Sequence, residues 1–295
     1  LIALPALSGA ASTLLFGKLS DIFGRRAILL LSISIFLLGL AISATATTMI
    51  FLVVSATFMS IGHFPIIPLC FTAIGDLFPP AERAKWTGLL NLPGGLAALI
   101  GPVLGGVIAE SIWGWRGLYW GTIPLMLVAG GLVVAGLPVN THKIKPRIDV
   151  WGTFVMVFAT TTLIIGFSWL GVAGKLGLAV ILLVISLIAW AGFIVIEKKV
   201  EAPILDPQIF LNRTFMTAAG AALLSFFGTL CIVAYSPIFV QDVMHIDPIT
   251  SGSMLTPYST LVAFLGVPTG FLLARTRKYK WMYNLGYPVV TLAMF

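Results

Sequence analysis

Charge is scarce in this chain. Asp, Glu, Lys and Arg make up 9% of its 295 residues, against roughly 25% in soluble domains. With 59% hydrophobic residues besides, a water-soluble globule is excluded. Cysteine is scarcer still: Cys70 and Cys231 both fall inside apolar runs, so there is neither a disulfide framework nor a CxxC metal pattern. Histidine is limited to His63, His142 and His245, with no HExxH, no GxSxG and no paired aspartates in an apolar run. The usual hydrolytic and metal-dependent constellations are therefore missing, and neither an enzyme nor a resident metal or cofactor is expected. The lack of a pore-loop motif or a large soluble domain speaks against a receptor or channel. A net charge of +7 would point to nucleic acid in a soluble protein, but here the cations sit in short connections between apolar runs, and no nucleic-acid partner is expected.

Those runs fill the chain. They lie at about 1–16, 28–44, 50–74, 86–109, 117–137, 151–170, 176–196, 214–238, 250–274 and 281–295, each near the roughly 20 residues that cross a bilayer as a helix. Backbone groups in lipid must be satisfied within the segment, so the class is an all-α polytopic membrane protein. The first and last runs look cut, so a fragment is expected. Alternating the connections between two sides puts Lys18, Arg25, Arg26, Arg83, Lys85, Lys143, Lys145, Arg147, Lys198, Lys199, Arg213, Arg275, Arg277, Lys278 and Lys280 on one side. Only Arg116 and Lys175, of seventeen Lys and Arg, fall on the other. A wrong helix count would scramble that split, and the cationic side is the cytoplasmic one. Polar stretches at 138–150 and 197–213 divide the chain into 1–137, 138–211 and 212–295. The run at 176–196 is apolar on every face, as suits a lipid-facing rim.

The stretch Gly17 to Arg26, GKLSDIFGRR, is a glycine-bounded connection between two such runs. Gly17 can end one helix in the left-handed conformation, Gly24 can turn the chain, and Asp21 can accept from the N–H groups of a helix start. The segment resembles the G-x-L-x-D-x-x-G-R-R signature of the major facilitator superfamily at Gly17, Leu19, Asp21, Gly24, Arg25 and Arg26. In the run at 86–109, Ala97, Gly101, Gly105 and Ala109 form a stripe on which another backbone can pack. Gly101, Pro102, Gly105 and Gly106 within it resemble the G-P-x-x-G-G motif of the superfamily's antiporters. The loop 76–83, DLFPPAER, is similar to the family's D-x-F-P-P-x-E-R. The segments around 147–152 and 203–215 are similar to the linkers of the fourteen-helix drug:proton antiporter branch. Gly270, Leu272, Arg277 and Lys278 echo Gly17, Leu19, Gly24 and Arg25 in a loop after the run at 250–274, with Ala274 where Asp21 would be.

The resemblance covers essentially the whole chain. It implies the major facilitator fold, two parallel six-helix bundles and two extra central helices, truncated by one helix and part of the next at the start and about four at the end. It also implies a monomeric carrier of the plasma (inner) membrane that exports hydrophobic or cationic small molecules by proton antiport with alternating access. The Gly17–Arg26 switch loop would face the cytoplasm and the Gly101–Gly106 helix would limit leak. Two departures stand beside this. Ala56 and Met59 occupy the places of the arginine and glutamine that family antiporters carry, and every acidic residue falls in a loop or at a helix end. An uncoupled or differently coupled facilitator or importer of another small solute therefore stays open. His63, flanked by Gly62, Phe64 and Pro65, is the titratable side chain nearest mid-membrane. It is a candidate for proton or substrate contact, or else a neutral imidazole bonded to a neighbour, which avoids the roughly 2.5 to 3.5 kcal/mol cost of a central charge. Asn91 is a second polar candidate, with an interhelical hydrogen bond as its alternative. Tyr235 and Tyr258 are candidate cavity aromatics, or packing residues and interface anchors.

Overall fold

The computed structural model describes residues 3–138, 150–200, 207–246, 254, 256–276 and 280–293. Among them are ten α-helices, one for each apolar run, and no strand. They are α1 (Ala3–Phe23), α2 (Arg25–Ala44), α3 (Met49–Leu77), α4 (Pro80–Glu110), α5 (Arg116–Gly136), α6 (Val150–Leu170), α7 (Leu176–Glu197), α8 (Arg213–Asp242), α9 (Thr256–Thr276) and α10 (Lys280–Ala293), with a 3₁₀ turn at Pro207–Leu211 before α8. Seven of the ten are long and apolar enough to cross a membrane by length and composition.

Several helices outrun the apolar segments that mark them. Hydropathy sees the part that fits lipid, whereas hydrogen bonding carries the helix on into the interface. At 31 residues α4 is about 46 Å long, against roughly 30 Å of hydrocarbon. Local chemistry sets its start: Pro80 opens the first turn, where its missing N–H costs nothing, and Glu82 follows where a carboxylate favours the exposed N–H groups. The Glu82 N–H donates to Pro79 O at 2.9 Å. Asn212 caps α8, its Oδ1 accepting the N–H of Thr214 at 2.9 Å and of Phe215 at 3.3 Å.

Two compact units emerge, residues 1–70 with 108–225 and residues 71–107 with 226–295. In the first unit α2 is central. Its Ile28, Leu29, Ser32, Ile33, Phe36, Gly39, Leu40 and Ser43 are buried at helical spacing. Ile28, Leu29 and Ile33 form a core with Phe16 of α1 and Leu69 of α3, edged by Leu15, Ile66, Met126 and Val133. α2 and α3 approach backbone to backbone where side chains vanish. A methyl placed on Gly39 would lie 2.5 Å from Met59 Cα, and one on Gly62 would lie 2.5 Å from Ser32 O. Ser43 Oγ donates to Ser55 Oγ at 3.0 Å across the same pair.

Arginines tie α2 to α5 at both ends. Arg26 donates to Leu137 O at 3.3 Å and Arg116 to Ala46 O at 2.6 Å, so the two helices run antiparallel. α6 and α7 pair along one seam. Ser186 Oγ donates to Ala159 O at 2.8 Å, and Ala179, Ser186, Phe193 and Glu197 are the buried positions of α7. The outward Leu178, Leu187 and Ile188 are exposed, which fits a rim helix.

In the second unit α4 and α9 cross. A methyl on Gly88 would lie 2.6 Å from Gly266 O, and one on Gly270 would lie 2.6 Å from Ala84 O. Stepping down α4 means stepping up α9, so the start of α4 and the end of α9 share one end of this unit. On α10, Tyr283 and Tyr287 stack with centroids 5.9 Å apart.

Candidate functional site

The charged turn of the first unit differs from the loop expected of it. α1 continues through Gly17, Lys18 and Asp21 to Phe23, so Gly17 does not end a helix. The chain turns at Gly24 alone, with φ 94° and ψ 148°, a backbone region that side-chain-bearing residues rarely adopt. Hydrogen bonding explains the change: in the described structure nothing interrupts the i to i+4 ladder until Gly24, and its N–H still donates to Ser20 O at 3.0 Å. Because α2 restarts at once, Arg25 lies beside the last turn of α1.

Arg25 Nη1 is 2.5 Å from Asp21 Oδ1 and donates to Ser20 Oγ, also at 2.5 Å. Ser20 Oγ in turn donates to Gly17 O at 2.6 Å. Asp21 therefore pairs with the arginine, and no side chain caps the start of α2. The Arg25 side chain is 19% exposed and that of Asp21 53%, which leaves the pair at a surface where it can open. Arg26 points elsewhere, onto the last carbonyl of the α5 region, Leu137 O. Gly17, Asp21, Gly24 and Arg25 are thus one bonded unit joined through Ser20, while Arg26 is a clamp between helices. Ser20, 1% exposed, was not legible as a participant, since a serine in a variable motif position carries no signal of its own.

The other candidates divide between the units. His63 lies on α3 in the first unit, on the accessible side of the helix. Its ring is tilted against Phe36 at 4.8 Å and meets Phe64 edge-on at 5.9 Å. Asn91, Tyr235 and Tyr258 belong to the second unit. The Asn91 amide donates to Thr87 O at 3.1 Å, within its own helix, an i−4 back-bond of the kind short polar side chains make. Tyr235 is 67% exposed and Tyr258 40%, so both rings have open faces.

Gly101, Pro102, Gly105 and Gly106 all lie within α4; the Pro102 side chain is outside the described residues. A methyl on Gly101 or Gly106 would meet nothing within 4 Å. Among the described residues, close packing of α4 on a neighbouring helix is seen near its start, at Gly88 and Ala84 against Gly266 and Gly270 of α9. Ala84-x-x-x-Gly88 and Gly266-x-x-x-Gly270 are small residues at four-residue spacing, the one sequence signal that could have found them. Gly270 and Leu272 are helical rather than in a loop, and Arg277 and Lys278 lie outside the described residues, as do Lys143, Lys145, Arg147 and Asp149. Among described residues the acids Asp21, Asp76, Glu82, Glu110, Glu197 and Asp242 all stand within three positions of a helix end. Glu197 is nevertheless 2% exposed, a burial that hydropathy did not signal. No group of His, Cys, Asp and Glu among the described residues is placed to hold a metal.

Comparison with known proteins places this geometry. The chain is 32% identical over 249 residues to multidrug resistance protein 3 of Bacillus subtilis, covering 82% of this chain and 48% of that protein. It is 29% identical to the multidrug transporter protein MdtP of the same organism, covering 82% and 45%. It is 26% identical to the efflux pump FUS6 of Gibberella fujikuroi, covering 97% and 53%. The chain thus spans about half the length of the curated relatives it matches. The profile of the Major Facilitator Superfamily matches residues 1–295, and with ten helices, no described strand and that match from end to end, the chain belongs to the Major Facilitator Superfamily.

Proposed function

We propose that the complete protein is a secondary active exporter of hydrophobic or cationic small molecules, driven by proton antiport through alternating access. The observation that carries this reading is similarity over 82% of the chain to bacterial proteins named for multidrug resistance and transport. In the proposed scheme 1–137 belongs to one bundle, 138–211 holds the linkers and extra helices, and 212–295 begins the second bundle. The Asp21–Arg25 pair faces the cytoplasm of a plasma-membrane monomer. There it holds α1 against α2 in one state, and its exposed carboxylate makes the pair cheap to break. His63, between Phe36 and Phe64, and the open rings of Tyr235 and Tyr258 supply faces suited to flat or cationic solutes. Gly101 and Gly106, where a methyl meets nothing within 4 Å, leave room for a moving neighbour.

A second reading has its own support. With Ala56 and Met59 in place of the arginine and glutamine, and described acids confined to helix ends, an uncoupled facilitator or importer is the alternative. Inverted vesicles holding the complete protein separate the two. Accumulation of a fluorescent organic cation is expected when the vesicle interior is acidified, and is expected to collapse when nigericin dissipates the gradient. Accumulation that ignores nigericin would reject antiport.

A further inference from the structure

The antiparallel hairpin of α6 and α7 has two differently built ends. Ser186 Oγ donates to Ala159 O at 2.8 Å, and a methyl on Gly166 would lie 3.3 Å from Ala179 O. Seven residues back along α6 therefore correspond to seven forward along α7, and the same step again reaches Gly152 and Phe193, both buried. Trp151 and the close of α7 share one end of the hairpin, and Lys175 marks the other. At the Lys175 end the ammonium lies 4.6 Å from the Trp169 ring centroid, so cation and indole are paired with each other.

At the Trp151 end both kinds of group stay available. Lys198 and Lys199 follow α7 and are exposed, and Trp151 is 75% exposed. Among the described residues neither lysine forms an ion pair, and no cation lies over the Trp151 ring. The adjacent acid, Glu197, is 2% exposed, so its carboxylate is turned away from the surface that the lysines present. Depth is graded as well. Lys198 lies five residues beyond Phe193, about 7.5 Å along the helix axis, whereas Trp151 lies one residue beyond Gly152, about 1.5 Å. Deeper still, Phe154 and Phe158 stand on the same face of α6 as Trp151, and Ile194 and Val195 stand one turn before the two lysines; all four are exposed. Ammonium, indole and hydrocarbon thus follow one another in the order of phosphate, glycerol region and acyl chain in a phospholipid.

We propose that this end of the hairpin binds an anionic phospholipid, with Lys198 and Lys199 on its headgroup, Trp151 at its glycerol esters, and Phe154, Ile194 and Val195 along its acyl chains. Two exposed cations whose neighbouring acid is buried favour a net negative headgroup over a zwitterionic one, which brings a cation of its own. The lipid surface is separate from the solute path, and its occupancy depends on neither proton coupling nor the direction of transport.

The test uses the complete protein in phosphatidylcholine nanodiscs doped with either brominated phosphatidylglycerol or brominated phosphatidylcholine, whose bromines quench nearby indoles. The difference between the parent and Trp151→Phe isolates quenching at Trp151. Half-quenching is expected at about a fivefold lower mole fraction of the anionic lipid, the bias that roughly one lysine's worth of surface attraction supplies. Lys198→Gln combined with Lys199→Gln is expected to abolish that preference, and Lys175→Gln at the opposite end to leave it intact. Lysines that served only the end of the helix would move stability and not the ratio between the two lipids. Should the double variant fail to fold, the parent still decides the matter. Raising KCl from about 0.1 to 1 M shortens the screening length from about 10 to 3 Å and is expected to remove most of the preference. Equal quenching by the two lipids in the parent, or a preference that survives the double variant or the salt, would overturn the proposal. No solute or gradient enters the measurement, so failure of antiport leaves it untouched.

Discussion

Replacing Arg116 by alanine removes the guanidinium that donates to Ala46 O at 2.6 Å and lies 4.4 Å from the Trp115 ring centroid. A hydrogen bond to a charged group contributes about 1.5–3 kcal/mol and an exposed cation–ring contact about 0.5–1. Because Arg116 is exposed, the lower ends apply, and the expected loss is about 2 kcal/mol. Arg26 at the other end of the same helix pair reaches Leu137 O at 3.3 Å, beyond the usual range, so Arg26→Ala should cost about 1 kcal/mol or less. The two clamps stand a full helix apart: α2 has 20 residues, about 30 Å. Their effects should therefore add within about 0.5 kcal/mol in the double variant. Unfolding of the purified protein by SDS titration, followed by tryptophan fluorescence, measures all three. An Arg26→Ala variant less stable than Arg116→Ala, or a double variant far from the sum, would refute the picture of α2 and α5 as one rod pinned at both ends.

Crowding at the α2–α3 crossing yields a sharper contrast. A methyl on Gly39 overlaps Met59, so Gly39→Ala should lose about 1–3 kcal/mol in the same titration. At Gly131, where a methyl has open space, alanine should leave stability unchanged or raise it by up to about 1 kcal/mol. His63→Phe retains ring contacts with Phe36 and Phe64 and removes the titratable nitrogen. Stability should hold within about 0.5 kcal/mol while the pH profile of transport flattens, and an unchanged profile would assign His63 to packing alone.

The sequence disclosed the helices because lipid imposes a single rule, that backbone polar groups be satisfied within each segment, and ten apolar runs therefore became ten helices. It misplaced their ends by up to seven residues, as at α1, because hydropathy stops at the interface and hydrogen bonding does not. The charged turn shows the same division. Its motif named Gly17, Asp21, Gly24 and Arg25, but only the fold brings Ser20 between Arg25 and the Gly17 carbonyl and sends Arg26 to Leu137. Small residues were the hardest to assign. Four-residue spacing marked the Gly101–Gly106 stripe as a surface that allows close approach, whereas the same spacing at Ala84, Gly88, Gly266 and Gly270 was not singled out. Which of them is used depends on where the partner helix lies, and that is a tertiary fact no local pattern holds. A methyl at Gly101 or Gly106, which matched a family motif, has open space, while Gly88 and Gly270, which matched none, are closed on a neighbouring helix.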